Sequence, residues 1–289
     1  MPALALLRAA LRRTRPNPDP STPPPPTRLT TTRAPDPAHL AAYQRVCGFD
    51  AACDDVLPLT YPHVLAFPPT MRLMTARDFP LPLLGLVHTS IEVDQYRPIR
   101  PAEELRLTVR TTALARHRRG TEATLLTEAT SPDGALLWQS RSTYLARHKT
   151  AQSASTSAPD TAPTPAPAPA PAPGEKTWEL HAGLGRRYAA VSGDRNPIHL
   201  HALTARPFGF PRAIAHGMWT AARCLAEQGQ GQGQGQGQQG IHTRIEFRAP
   251  VPLPTTVTYS TPTPQTFELR SPQGKLHLTG VTGPTDAPP

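Results

Sequence analysis

The sequence predicts an α+β protein of two related units, each a helix laid against a run of antiparallel strands. Three observations carry that reading. Twice along the 289 residues a helical stretch precedes several segments of period-2 alternation. The segment His88-Thr89-Ser90-Ile91-Glu92-Val93 recurs as His242-Thr243-Arg244-Ile245-Glu246-Phe247, each copy followed by a proline-studded turn and renewed alternation. The tract TPAPAPAPAP at 164–173 separates the two copies. Alternating proline removes every second backbone donor, so this tract extends as a spacer.

Residues 1–36 hold 9 of the 38 prolines and are expected to be a disordered tail. The Arg- and Leu-rich start, Met1 to Arg15, faintly resembles a transit peptide. The same Ala, Arg and Pro bias runs through the whole chain, so a cytoplasmic protein is the expectation. The first unit spans 37–148. Its helical stretch, Leu65 to Ala76, is interrupted by Pro68-Pro69, and strands are predicted over 86–97, 103–115, 121–130 and 136–146. An Ala/Pro-rich linker covers 149–174. The second unit covers 175–282, with strands over 241–248, 255–260, 265–270 and 275–281. Its helix shows Ile214, Met218, Ala221, Ala222 and Leu225 on one face and stops at Gln228-Gly229. The Gln/Gly alternation of 228–240 reads as a flexible loop without chemistry.

Composition excludes several classes of function. The net charge of +9 gathers partly in the tail, where six arginines face two aspartates. The run Arg116-His117-Arg118-Arg119 before Gly120 reads as a solvated hairpin turn. Neither zinc-finger spacing nor an aromatic-interleaved basic stripe is present, so no nucleic-acid partner is expected. A basic surface suits a phosphate-bearing small molecule equally well. No apolar run approaches the ~18 residues of a membrane span. Cys47, Cys53 and Cys224 form no CxxC pair and no disulfide framework, which points to a reducing compartment. Cys224 reads as a small buried apolar residue.

The segment 188–218 is different in kind. It reads Tyr188-Ala-Ala-Val-Ser192-Gly193-Asp194-Arg195-Asn196-Pro197-Ile198-His199, and later Ile214-Ala215-His216-Gly217-Met218. Asn196 is a strong helix N-cap and Pro197 suits the first helical position, so a helix is expected from there to about Ala205. His199 falls in its first turn, and Gly193 permits a sharp turn before Asp194. A carboxylate and a neutral imidazole then share one short loop and can act together on a water molecule. Gly217, near the start of the long helix, offers an unpaired N–H to a carbonyl oxygen gaining negative charge. Ser192 and Asn196 read as loop-shaping residues. Tyr188 reads as core, and Arg206 and Arg212 as solvated residues or contacts to phosphates. His201 and His216 lack partners at metal-ligand spacing and read as solvent-facing or loop-bracing.

Ser-Gly-Asp-x-Asn-Pro-Ile-His followed by Ile-Ala-His-Gly-Met resembles the signature of the MaoC-like dehydratases, the (R)-specific enoyl-CoA hydratases. The resemblance covers roughly 175–250 and continues weakly over 60–148. It implies a double hot-dog fold, two antiparallel sheets each wrapped on a central helix, with a degenerate first unit. The first unit lacks Asp-x-Asn-Pro-x-His, so one active site is expected. The resemblance further implies that Asp194 and His199 activate water and that the Gly217 amide holds the thioester carbonyl. Addition of that water to a trans-2-enoyl thioester of coenzyme A or a carrier protein would give an (R)-3-hydroxyacyl thioester. No metal and no cofactor are expected. An acyl thioesterase and a non-catalytic acyl-thioester-binding scaffold are the alternatives. A monomeric double unit and a homodimer are equally compatible with the sequence.

Overall fold

The computed structural model describes residues 22–50, 55–83, 85–150, 175–229 and 240–288. The linker beyond Thr150, residues 230–239 of the Gln/Gly stretch and Cys53 lie outside them. In the first unit, β1 (Arg28–Arg33) leads into α1 (Pro37–Cys47), α2 (Tyr61–Leu65) and α3 (Phe67–Met74). The strands β2 (Val87–Gln95), β3 (Leu105–His117), β4 (Gly120–Thr130) and β5 (Leu136–Arg147) follow. The second unit opens with β6 (Lys176–Leu180), α4 (Leu184–Ser192), α5 (Pro197–Leu200), α6 (Ala202–Ala205) and α7 (Gly217–Glu227). It closes with β7 (Ile241–Phe247), β8 (Thr255–Thr263), β9 (Thr266–Arg270) and β10 (Leu276–Pro284).

All eight strands expected from alternation are present, and two edge strands join them. The first, β1, corrects the reading of residues 1–36 as disordered throughout. Arg28–Arg33 pairs along its length with β3, placing Leu29 opposite Val109. Pro68 and Pro69 also behave differently from expectation. They sit in the first turn of α3, where a missing N–H forfeits no helical bond, so they begin a helix instead of interrupting one. Upstream, the Asp36 side chain caps α1 by accepting the His39 N–H at 2.7 Å. At its other end Gly48, left-handed at φ 79°, donates to the Gln44 carbonyl.

The strands form one ten-stranded sheet in the order β1-β3-β4-β5-β2-β7-β10-β9-β8-β6. Read outward from its centre, each half repeats the same connectivity. The two copies of the sequence repeat are the strands that join the halves: β2 and β7 pair antiparallel, with Ile91 opposite Ile245. What the sequence suggests as two sheets is therefore one sheet continuous across an edge-to-edge seam. On the core side, α7 buries Trp219, Ala221, Ala222, Cys224 and Leu225. Its alanines let the helix backbone lie close to the sheet.

Two side chains fasten the units together. The Trp219 indole N–H donates to the Val46 carbonyl at 2.9 Å, tying α7 to α1. His39 on α1 donates from Nε2 to the Val191 carbonyl at 2.7 Å and accepts the Tyr61 hydroxyl at Nδ1 at 2.8 Å. The first unit thus holds the end of α4, one residue before the motif begins.

Candidate active site

The motif loop leaves α4 through Gly193, whose positive φ of 75° closes the helix with an N–H bond to Ala189. Asp194 follows at once. Its N–H donates to Ser192 Oγ at 3.2 Å, and its Oδ1 accepts the Asn196 N–H at 3.0 Å. Ser192 and Asn196 therefore shape the loop, and Asn196 also caps α5 by accepting the Ile198 N–H at 3.4 Å. The helix expected to run to Ala205 lasts one turn. His201 is extended (φ −150°, ψ 152°), so the segment becomes α5, α6 and a 3-10 turn at Arg206–Phe208. Past α5, the Ile198 carbonyl accepts the Ile214 N–H at 3.0 Å, which draws the Ile214–Met218 segment beside the loop.

That link brings the side chains together. His199 Nδ1 donates to the Ile214 carbonyl at 2.8 Å. Burial pushes the imidazole below its ordinary pKa of 6.5, against the opposing pull of the Asp194 charge. A neutral ring that donates from Nδ1 carries its lone pair on Nε2. His216 is the residue whose place sequence spacing does not reveal. It is 2% exposed, and its ring stacks on His199 with centroids 3.7 Å apart and 26° between planes. Its Nε2 donates to the Asp194 main-chain oxygen at 3.0 Å and stands 3.7 Å from Asp194 Oδ2. Burial, with the neighbouring imidazole, lowers its pKa to about 3. Of the two roles read for it, loop-bracing fits and solvent-facing does not.

Gly217 begins α7. The Trp219 and Thr220 N–H groups both return to the His216 carbonyl at 3.1 Å, so the Gly217 N–H lies ahead of the helical ladder. A Cβ at this position would stand 3.1 Å from the Phe247 ring. Asp194, His199, His216 and Gly217 all line one cavity of about 920 Å³. Its opposite wall comes from the first unit, including His63, Phe67, Met71 and Tyr144. Arg118, Arg147 and Arg195 also reach the cavity, whereas Arg206 and Arg212 do not line it, and Arg212 donates to the Pro254 carbonyl. Tyr188 is both core, at 2% exposure, and cavity lining.

Asp194, His199 and His216 place ligand-type atoms within 4.8 Å of one another. An oriented carboxylate, a neutral imidazole with a free lone pair and a main-chain N–H can deprotonate a water and hold a developing oxyanion.

The MaoC like domain profile matches residues 172–265, which contain the whole motif. The crystal structure of HtdX from Mycobacterium tuberculosis is 32% identical, with a TM-score of 0.73, over 90% of this chain and 100% of that one. This chain belongs to the MaoC-like dehydratase family. The curated sequences matched are HtdX again, under its full name, and one further relative from the same organism. A 3-hydroxyacyl-thioester dehydratase X is 38% identical over 191 residues, 66% of this chain and 65% of that protein. The enoyl-CoA hydratase ChsH3 is 32% identical over 167 residues, 54% of this chain and 52% of that protein. The match thus spans just under two thirds of the first of these relatives and about half of the second.

In this MaoC-like dehydratase the fold is the double hot-dog that the motif implies. Among the described residues no helix is long and apolar enough to cross a membrane. One supporting residue escaped the sequence reading altogether. Gly185 in α4 packs so closely on the motif loop that a Cβ there would fall 1.9 Å from the His199 carbonyl oxygen. A glycine inside a helix, five residues after a strand, is the signal that was available for it.

Proposed function

We propose that this chain reversibly hydrates trans-2-enoyl thioesters, of coenzyme A or a carrier protein, to (R)-3-hydroxyacyl thioesters. One observation carries the reading most directly. The His199 tautomer is set by the Ile214 carbonyl at 2.8 Å, which leaves Nε2 as a base beside the Asp194 carboxylate. In the forward direction water sits between Asp194 and His199 and loses a proton to them as its oxygen attacks the β-carbon. Negative charge moves to the thioester oxygen, where the Gly217 N–H holds it. One of the two side chains returns a proton to the α-carbon, so the elements of water are added across the double bond. The names of the relatives support the dehydratase chemistry, and the family resemblance supports the (R) configuration.

The test is the ultraviolet absorbance of crotonyl-CoA mixed with purified protein. Its loss reports hydration, whereas free thiol would report a thioesterase. Asp194→Asn and His199→Ala are each expected to lower kcat at least about 100-fold, the usual worth of a general acid or base, with far-ultraviolet circular dichroism unchanged. Near-normal turnover by either variant would overturn the assignment.

A further inference from the structure

The reaction leaves unused two imidazoles that the first unit turns to the same cavity. His63 is 8% exposed and its Nδ1 has no partner among the described residues; the buried Nε2 of His88 has none either. The two rings lie nearly parallel, 6.3 Å apart with 12° between planes. His88 also stacks on Tyr144 at 4.5 Å and meets the Phe247 ring at 4.9 Å. Phe247 is the ring against which Gly217 packs. Starting at the oxyanion donor, the wall therefore runs Phe247, His88, Tyr144. Three residues further along β5, about 10 Å at the rise of a strand and on the opposite face from Tyr144, Arg147 reaches the same cavity around the strand end. It pairs with Gly120, which places it beside the β3–β4 hairpin that carries Arg118. Both arginines line the cavity, and neither has an ion-pair partner among the described residues.

The order of these groups has a chemical meaning. A buried polar atom without a partner is costly, and an occupant made only of hydrocarbon would leave both nitrogens unsatisfied. Burial keeps both imidazoles neutral, lowering His63 to about 4 and His88 to about 3; the His88 ring already donates to the Ser90 backbone, so its unpartnered Nε2 is left to accept. An amide answers both, since it carries a donor and an acceptor. A phosphate answers the arginines beyond.

We propose that this wall of the first unit grips the carrier arm of the thioester. His63 and His88 hydrogen-bond an amide of a pantetheine-type arm while Arg147 and Arg118 receive the phosphate at its end. The assignment rests on the thioester reading above. It makes these four residues binding and positioning groups, and the degenerate unit becomes the half that holds the substrate still while the other half reacts with it.

The experiment compares kcat/KM for crotonyl-CoA, crotonyl-pantetheine, which lacks the phosphate, and ethyl thiocrotonate, which lacks the arm. His63→Leu and His88→Leu should each reduce the preference for crotonyl-pantetheine over ethyl thiocrotonate about tenfold, the worth of one hydrogen bond whose loss strands its partner. The loss should appear in KM, and His88→Gln, which keeps a donor and an acceptor, should restore part of it. Arg147→Ala and Arg118→Ala should reduce the preference for crotonyl-CoA over crotonyl-pantetheine about tenfold. Crotonyl on an acyl carrier protein, run alongside, supports the phosphate contact if either carrier shows the arginine effect and overturns it if neither does. An unchanged preference in the leucine variants, or an equal loss on all three substrates, overturns the arm contact. Calorimetry with the unreactive butyryl-CoA and butyryl-pantetheine separates this proposal from the hydratase reading. If wild-type protein fails to hydrate yet the variants show the expected affinity pattern, the reaction is wrong and the arm site stands.

Discussion

Replacing Gly185 by alanine places a methyl group where the motif loop already lies. The new Cβ would stand 1.9 Å from the His199 carbonyl oxygen and 2.9 Å from its carbon. Both neighbours are backbone, so no side-chain rotation relieves the contact. Restoring even the 3.0 Å that real Cβ atoms observe moves His199 away from α4 by about 1.1 Å. His199 is held on its other side by the Ile214 carbonyl, so the displacement reaches the base itself. A misplacement of about 1 Å in a reacting group can cost about 100-fold in rate, or about 2.7 kcal/mol of barrier. The effect on stability is smaller, because overpacking costs about 1–3 kcal/mol while alanine returns about 0.5–1 kcal/mol of helix propensity. Steady-state hydration of crotonyl-CoA and thermal unfolding, measured together, separate the two effects. Gly183→Ala is the control. Its Cβ would meet only the Arg186 guanidinium, at an ordinary 3.5 Å, and it should behave as wild type. Turnover by Gly185→Ala within threefold of wild type would refute the argument that α4 positions His199.

Three further outcomes are expected. His216→Phe keeps a ring against His199 but removes the donor to the Asp194 carbonyl, so kcat should fall about tenfold with a stability loss of about 1–3 kcal/mol, read by kinetics and urea unfolding. Stability should also decline in acid. His63 and His216 protonate near 6.5 when unfolded but only near about 4 and about 3 when folded. Below pH 6.5 the unfolded chain holds more protons, so stability is full above that pH and is lost as pH falls. The slope approaches about 1.4 kcal/mol per pH unit for each group. Urea midpoints at pH 7, 6 and 5 check this, and His216→Phe should show a shallower decline. Gly280→Ala pushes a methyl into the fully buried Phe267 ring, 2.0 Å away, and should cost about 1–3 kcal/mol, or about 2–4 °C in Tm per kcal/mol.

Strands buried on one face declare themselves in sequence, which is why β2–β5 and β7–β10 were legible. The two edge strands were not. In β1 the only apolar residue is Leu29, and β6 is five residues long behind a proline tract. An edge strand needs only one partner and little apolar surface, so alternation has little to register there. For α1 the signals existed: Asp36-Pro37 at its start, Leu40, Tyr43 and Cys47 at helical spacing, and Gly48 at its end. Proline-rich surroundings masked them. Within the site, Asp194, Asn196, His199 and Gly217 sit in two short motifs and could be read directly. His216, Gly185, His63 and His88 acquire their neighbours only through folding, from segments up to about 160 residues apart in the chain, and no local pattern announces such encounters.

The seam where Ile91 faces Ile245 frees the chain from self-complementarity. Two identical subunits meeting at such a strand must present the same residue on both sides of their axis. Here Glu92 faces Arg244 and bonds it at 2.7 Å, while Glu246, the counterpart of Glu92, faces Ser90. Covalent fusion lets every position diverge from its twin. One half can discard the reactive motif without losing it from the other, and each side of the shared cavity can evolve toward its own task.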